Sequence, residues 1–272
     1  MKPDFKKKLK LTNRKAFSLV EMLVVVGIIA VLVGLTIPAI NALQKSYDST
    51  GADSMISAAL ATARTLAISN HNYVGVRFQK AWKSTDDPNK ADQYMIFIIY
   101  QLYDSSHNLS DWFHSIEGYK PIKLPANTGV MDMKLGDTAD ITSDNQINET
   151  KELIDTTSFS IVFSPAGKLV ISDVQICNVD CLRDIPSQPQ ISSDVVFNKK
   201  AQVQSGVAMF LQDDYHTSPN DWELDKEKSR NKFIIYDRQK FDMLATSQRY
   251  SKYLKNLQFI FINPYTGQII EK

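Results

Sequence analysis

Groups suited to chemistry are scarce in this chain: two cysteines, four histidines and ten glycines in 272 residues. Neither a Gly-x-x-x-x-Gly-Lys phosphate loop nor a Gly-x-Gly-x-x-Gly dinucleotide fingerprint occurs, which excludes the commonest phosphate cradles. No Gly-x-Ser-x-Gly elbow is present. Asp213, Asp214, His216 and Ser218 are close only in sequence, in what reads as a solvated turn, whereas hydrolytic triads are assembled from distant parts of a fold. His71, His107, His114 and His216 are scattered, so a zinc site on Cys177 and Cys181 lacks two of its four ligands. The acidic stretch 137–149 lacks the spacing and glycine of an EF-hand and reads as an exposed linker. Repeats and low-complexity tracts are also missing. These absences point away from an enzyme and leave no cofactor or metal to expect.

The near-zero net charge of +1 conceals an asymmetry. Lys2, Lys6, Lys7, Lys8, Lys10, Arg14 and Lys15 face only Asp4 within residues 1–16, while the remainder holds 24 basic against 29 acidic residues. The bulk of the chain therefore has no global attraction for nucleic acid. Its one local candidate, Arg238, Lys240, Arg249, Lys252 and Lys255 interleaved with Tyr250 and Tyr253, is explained equally by a solvated helix face.

From Phe17 to Ile40 the sequence reads FSLVEMLVVVGIIAVLVGLTIPAI, with Glu21 its sole ionisable residue. A secretory signal would have a shorter apolar core ending in a small-residue cut site. Residues 17–37 at ~1.5 Å per residue cover ~32 Å as a helix, against a hydrocarbon core of ~30 Å. Positive charge lies before the run and only Lys45 and Arg64 follow closely, so the positive-inside rule keeps the N-terminus cytoplasmic. Residues after Ile40 then lie on the opposite side, where an oxidised Cys177–Cys181 pair closing a short loop would contribute ~2 kcal/mol of local stiffening. Glu21 opposes insertion by ~3 kcal/mol at most, but fourteen Leu, Ile, Val and Phe in residues 17–37 favour it by ~0.3–0.6 kcal/mol each, so insertion wins. A carboxylate near a helix end can simply snorkel to the interface, or it can serve a partner.

The segment Lys15-Ala-Phe-Ser-Leu-Val-Glu-Met-Leu23 resembles the cleavage and methylation signal of type IV prepilins and type II secretion pseudopilins. Both have a basic leader, a small residue (usually Gly, here Ala16), Phe, and Glu four residues later. The resemblance implies that prepilin peptidase cuts between Ala16 and Phe17, that Phe17 becomes N-methylated, and that Glu21 pairs with the Phe17 amine of a neighbouring subunit. Matched charges withdrawn from water are tolerated where either alone is costly. Gly34 and Pro38 fall where a helix bend or a partly melted stretch, reaching to Gly51, is expected.

Beyond Pro38 the helix turns amphipathic, with Ile56, Ala59, Leu60, Ala63 and Ala67 on one stripe, and Asn70-His71-Asn72 stops it. Strands are expected at 73–78, 94–103, 159–163, 169–171, 207–211, 233–236 and 257–262, with tight turns at Ser164-Pro-Ala-Gly167 and Asn263-Pro-Tyr-Thr-Gly267. Polar stretches 79–92, 134–158 and 212–231 read as loops. The Ala-rich helix 55–69 leading into 73–78 resembles minor pseudopilin H and FimT-like minor pilins, with Arg64 read as a solvated helix residue.

The chain is thus expected to be α+β: a long N-terminal helix, membrane half and amphipathic half, packed on a C-terminal antiparallel β-sheet or sandwich domain. Its divisions would be a cytoplasmic leader 1–16, an assembly helix 17–40, the helix continuation 41–70 and an extracytoplasmic domain 71–272. The implied role is a non-catalytic subunit of a type II secretion pseudopilus at the inner membrane, or alternatively of a surface type IV pilus. Its partners would be prepilin peptidase, other pilin or pseudopilin subunits and, in secretion, an exported substrate.

Overall fold

A computed structural model describes residues 19–82, 90–101, 112–136, 139–179, 194–213 and 226–270, with residues 34–50 described by their backbone alone. The chain divides into two units, Met1–Ser46 and Tyr47–Lys272. Helix α1 (Leu19–Ser69) contributes to both. It is helical through Gly34, Pro38 and Gly51, so the melted stretch considered from the sequence does not form. An interior proline costs a helix one N–H bond and crowds the carbonyl four residues before it, yet the backbone stays helical across Pro38.

In the second unit the helix buries the stripe that its spacing dictates: Ile56, Leu60, Ala63 and Ala67 are fully buried and Ala59 nearly so. The helix ends as expected. His71 adopts the left-handed conformation at φ 50°, and Asn72 N–H reaches back to the Ala67 carbonyl at 3.2 Å, a C-terminal cap that satisfies orphan carbonyls.

Strands follow in the order β1 (Val74–Lys80), β2 (Gln93–Tyr100), β3 (Trp112–Ser115), β4 (Ile122–Lys123) and β5 (Thr128–Met131). Then come β6 (Lys134–Leu135), β7 (Ala139–Asp140), α2 (Thr150–Thr157), β8 (Phe159–Phe163), β9 (Leu169–Val170) and β10 (Asp173–Ile176). The remainder supplies β11 (Phe197–Asn198), α3 (Lys200–Gln204), β12 (Phe210–Leu211), β13 (Glu227–Lys228) and β14 (Lys232–Asp237). Helices α4 (Arg238–Met243) and α5 (Arg249–Lys252) precede β15 (Ile260–Ile262) and β16 (Ile269–Ile270).

The main sheet is ordered β13-β10-β3-β2-β1-β8-β9, with β4 also on β2, and a second sheet is ordered β16-β15-β14-β5. The architecture is α+β as expected, but not wholly antiparallel: β3–β10 within the main sheet runs parallel, as does the separate two-stranded pair β11–β12. Period-2 alternation explains why the main sheet can be covered on both sides. On β1, β2 and β8, residues Val74, Val76, Phe78, Met95, Phe97, Phe159, Ile161 and Phe163 join the α1 stripe in one core. Ile96, Ile98 and Val162 on the other face join Phe197 and Phe210 in another. Phe78 stacks on Phe159 with ring centroids 4.8 Å apart.

The polar stretch 134–158 is not a loop. It forms β6, β7 and α2, because Leu153 and Ile154 give α2 a buried face and Glu152 accepts the N–H groups of Asn148 and Glu149 at 3.0 and 2.9 Å, satisfying orphan donors at its start. Within the acidic stretch, Ile141 and Ile147 are buried, and Asp144 accepts the Tyr250 and Ser251 N–H groups. Its described part is therefore integrated structure rather than exposed linker. Gln79 and Lys80 likewise belong to β1 rather than to a loop.

Candidate functional site: an exposed apolar helix

Residues 19–33 form the N-terminal part of α1, and every one of them is exposed. Twelve are large apolar side chains, from Leu19 at 82% and Leu23 at 67% to Val33 at 48%. At ~1.5–3 kcal/mol for each such side chain removed from water, covering them is worth on the order of 20 kcal/mol. That exceeds the ~5–15 kcal/mol by which a domain is ordinarily stable. The apolar character runs all round the helix instead of forming one stripe, the pattern of a helix buried in a larger core or in a membrane. Glu21 stands in the first described turn, exposed among these residues. Near a helix N-terminus a carboxylate meets the positive end of the macrodipole, a favourable placement.

Among the described residues no helix is long and apolar enough to cross a membrane. The fifteen apolar-run residues whose side chains are described, 19–33, reach ~22 Å as a helix. Ala16 and Phe17 lie outside the described residues. Gly34 and Pro38 are helical in backbone. Cys177 is buried and disulfide-bonded, its sulfur 3.4 Å from the Phe113 carbonyl oxygen. Cys181 lies outside the described residues.

Two arrangements escape a sequence reading. Arg64 is not a solvated helix residue: its Nε–H donates to the Gly167 carbonyl at 2.8 Å and its NH2 group to the Tyr265 carbonyl at 3.4 Å. It thereby ties the stripe-bearing part of α1 to both glycine turns. Gly167 and Gly267 have φ of +70° and +69°, and a Cβ on Gly267 would stand 3.1 Å from the Arg64 side chain, so the residue that permits each turn also leaves room for the arginine.

The second is a buried charge array. Arg77 points from the centre of β1 to the face away from α1, fully buried. It donates to Asp213 at 2.9 Å and Glu227 at 3.2 Å, with Ser160 and Gln79 as further acceptors. Arg230 bridges Glu227 at 3.3 Å and Asp132 at 2.6 Å. Asp213 is thus an interior ion-pair member, not part of a solvated turn. Burial pushes the Asp132 carboxyl up to about 7 despite its contact with Arg230, and pushes Asp155 and Glu227 upward as well. The dominant cause is desolvation of the charged form.

Three of the five basic residues considered for nucleic acid have protein partners. Arg238 donates to the Lys90 carbonyl, Lys240 lies over the Tyr253 ring and Arg249 over Phe241. No group of acidic, histidine and cysteine side chains suited to a metal occurs among the described residues.

Residues 11–37 match the prokaryotic N-terminal methylation motif. No curated protein and no solved structure matches the chain. The matched region overlaps the exposed helix from Leu19 onward and supports a type IV pilin-like signal. That signal implies processing by a prepilin peptidase and assembly with other pilin subunits in a membrane-anchored, filament-associated protein.

Proposed function

We propose that the chain is a non-catalytic subunit of a type II secretion pseudopilus, made as a precursor and cut between Ala16 and Phe17. The observation that carries this reading is the coincidence of the methylation motif with a helix whose apolar residues are exposed all round. In this reading the Phe17 amine is methylated and residues 17–40 cross the inner membrane once, with the N-terminus cytoplasmic and the larger unit periplasmic. On leaving the bilayer, the same apolar surface packs against neighbouring subunits. Glu21 then pairs with the Phe17 amine of the adjoining copy and sets the register, the best-attested use of a buried charge pair. Gly34 and Pro38 give the helix a place to bend during that transfer. Cys177 and Cys181 form one disulfide, consistent with an oxidising compartment. The likeness of residues 55–78 is to minor pseudopilin H and FimT-like minor pilins alike, and supports a minor pilin-like subunit on either reading.

Co-expression with a prepilin peptidase, followed by intact-mass analysis, tests the processing step. The mature form should begin at methylated Phe17; an uncut chain or another start would overturn it. Deletion of the gene in its host then tests the role. Accumulation of exported proteins in the periplasm with surface pili intact is the expected result, and loss of pili with normal secretion would assign the subunit to a type IV pilus instead.

A further inference from the structure

The buried array joins parts of the larger unit that the chain keeps far apart. Arg77 belongs to β1 and Glu227 to β13, both in the main sheet, whereas Asp132 directly follows β5 and Arg230 stands two residues before β14, both in the second sheet. Asp213 closes the group by accepting the Ile176 N–H at 2.7 Å. From α2, Asp155 accepts the Gly136 N–H at 2.7 Å while the Gly136 carbonyl accepts from Arg230 at 2.9 Å. Lys151 acts on Asp155 from the same helix. Among the described residues, three buried carboxyl groups, Asp132, Asp213 and Glu227, therefore gather around two buried arginines, with Asp155 half-buried beside them.

Two guanidinium groups neutralise two carboxylates. A third negative charge held there without water would be strongly unfavourable. A carboxyl group in that position keeps its proton, and the proton belongs to the array rather than to one residue.

We propose that this array is a proton-loaded latch between the two sheets, fastened at mildly acidic pH and loosened as the pH rises to neutrality. The inference stands apart from the filament reading, since it involves no residue of the exposed helix. Its sign follows from linkage. When the latch opens, its carboxyl groups meet water and return to ordinary acidity, so opening releases a proton that the closed form retains. Opening is then favoured by up to about tenfold per pH unit between the ordinary carboxylate range and the raised value of the closed array. Burial raises Asp132 to about 7 and moves Asp155 and Glu227 in the same direction, which puts the window at about pH 4 to 7. Asp140 and Asp173, held low chiefly by hydrogen bonds from Lys134 and from Lys228 and Lys226, act only below that window.

Amide hydrogen exchange on the full chain in detergent micelles, corrected for the intrinsic pH dependence of exchange, reads the latch directly. Four amides report on it: Asp132, bonded to Thr156, Asp213 to Ile176, Ser229 to Ser172 and Arg230 to Ser160. Their protection should fall about ten- to a hundredfold from pH 5 to pH 7, while Val76 in the centre of β1 changes far less. Glu227→Gln, which keeps an acceptor but no titrating group, should flatten the response, and Asp132→Asn is the second variant should the first fail to fold. Carboxyl carbon NMR of the unmodified protein should show at least one group titrating above pH 5.5. Protection that is flat from pH 5 to 7, an equal fall at Val76, or carboxyl groups that all titrate in the ordinary range would overturn the proposal.

Discussion

The two units invert each other's chemistry. Residues 19–33 expose twelve large apolar side chains, whereas the larger unit buries Arg77, Asp132, Asp213, Glu227 and Arg230. Each inversion is stable only when something else answers it. The charges are answered within the chain, by one another across the two sheets. The apolar helix is exposed all along residues 19–33, and in the proposed function lipid and neighbouring subunits are what answer it. A sequence that spends charge inside a domain and apolar surface outside it separates two tasks: holding a globular unit together and joining that unit to a larger assembly.

The sharpest way to break the contrast is to remove the central cation. Arg77→Ala leaves Asp213 and Glu227 buried without it, and loss of one partner from such a group destabilises by ~3–5 kcal/mol. Urea unfolding of the full chain in detergent should show a midpoint shift of that size, with the exposed helix still inserted in micelles. Replacing Arg77, Asp213 and Glu227 together by apolar residues of similar volume should recover much of the loss, since the penalty comes from stranded charge rather than from lost attraction. A shift below about 1 kcal/mol for Arg77→Ala would mean that water reaches the array.

A smaller effect is expected where the helix meets the turns. Arg64→Ala removes the bond to the Gly167 carbonyl and should cost ~1–2 kcal/mol in the same assay. Arg64→Lys should recover little, because a single ammonium cannot reproduce a planar fork that serves two carbonyls. Full stability in both variants would return Arg64 to a solvated role.

What was legible in the sequence follows from range. The stripe Ile56, Ala59, Leu60, Ala63 and Ala67 is buried as its period demands, and β8 occupies the residues its β-branched and aromatic run marks out. Ser164-Pro-Ala-Gly167 closes with a Gly167 N–H to Ser164 carbonyl bond of 2.7 Å, a turn its own four residues specify. The array was illegible because its partners are 136 and 150 residues apart from Arg77. Arg77 alternates with Val76 and Phe78, so period 2 assigns it to the face away from α1, and no local signal says that a further layer covers that face. Helix α2 was missed for a related reason: eight residues with Leu153 and Ile154 as their apolar content are too short for periodicity to stand out against polar neighbours.

The last test acts on the exposed helix and should leave the stability of the larger unit unchanged. Glu21 lies in the first described turn of α1, well before Ala52, the first buried residue of the helix among those whose side chains are described. Glu21→Leu alters no side chain of the charge array or of the core beneath the helix, so the urea midpoint should move by less than about 0.5 kcal/mol, the usual range for a change remote from packing. Membrane insertion should be retained or improved, since an unfavourable contribution of ~3 kcal/mol at most disappears. Incorporation into filaments should fall, because a neutral side chain gives the Phe17 amine of a neighbouring subunit no charge to pair with. Quantifying the variant in sheared or detergent-extracted filaments against its total membrane content separates the two steps. Native-level incorporation would remove Glu21 from the assembly mechanism while leaving the apolar surface as its basis; a lowered urea midpoint would show that the helix and the larger unit are not energetically separate, and the contrast between them would fail.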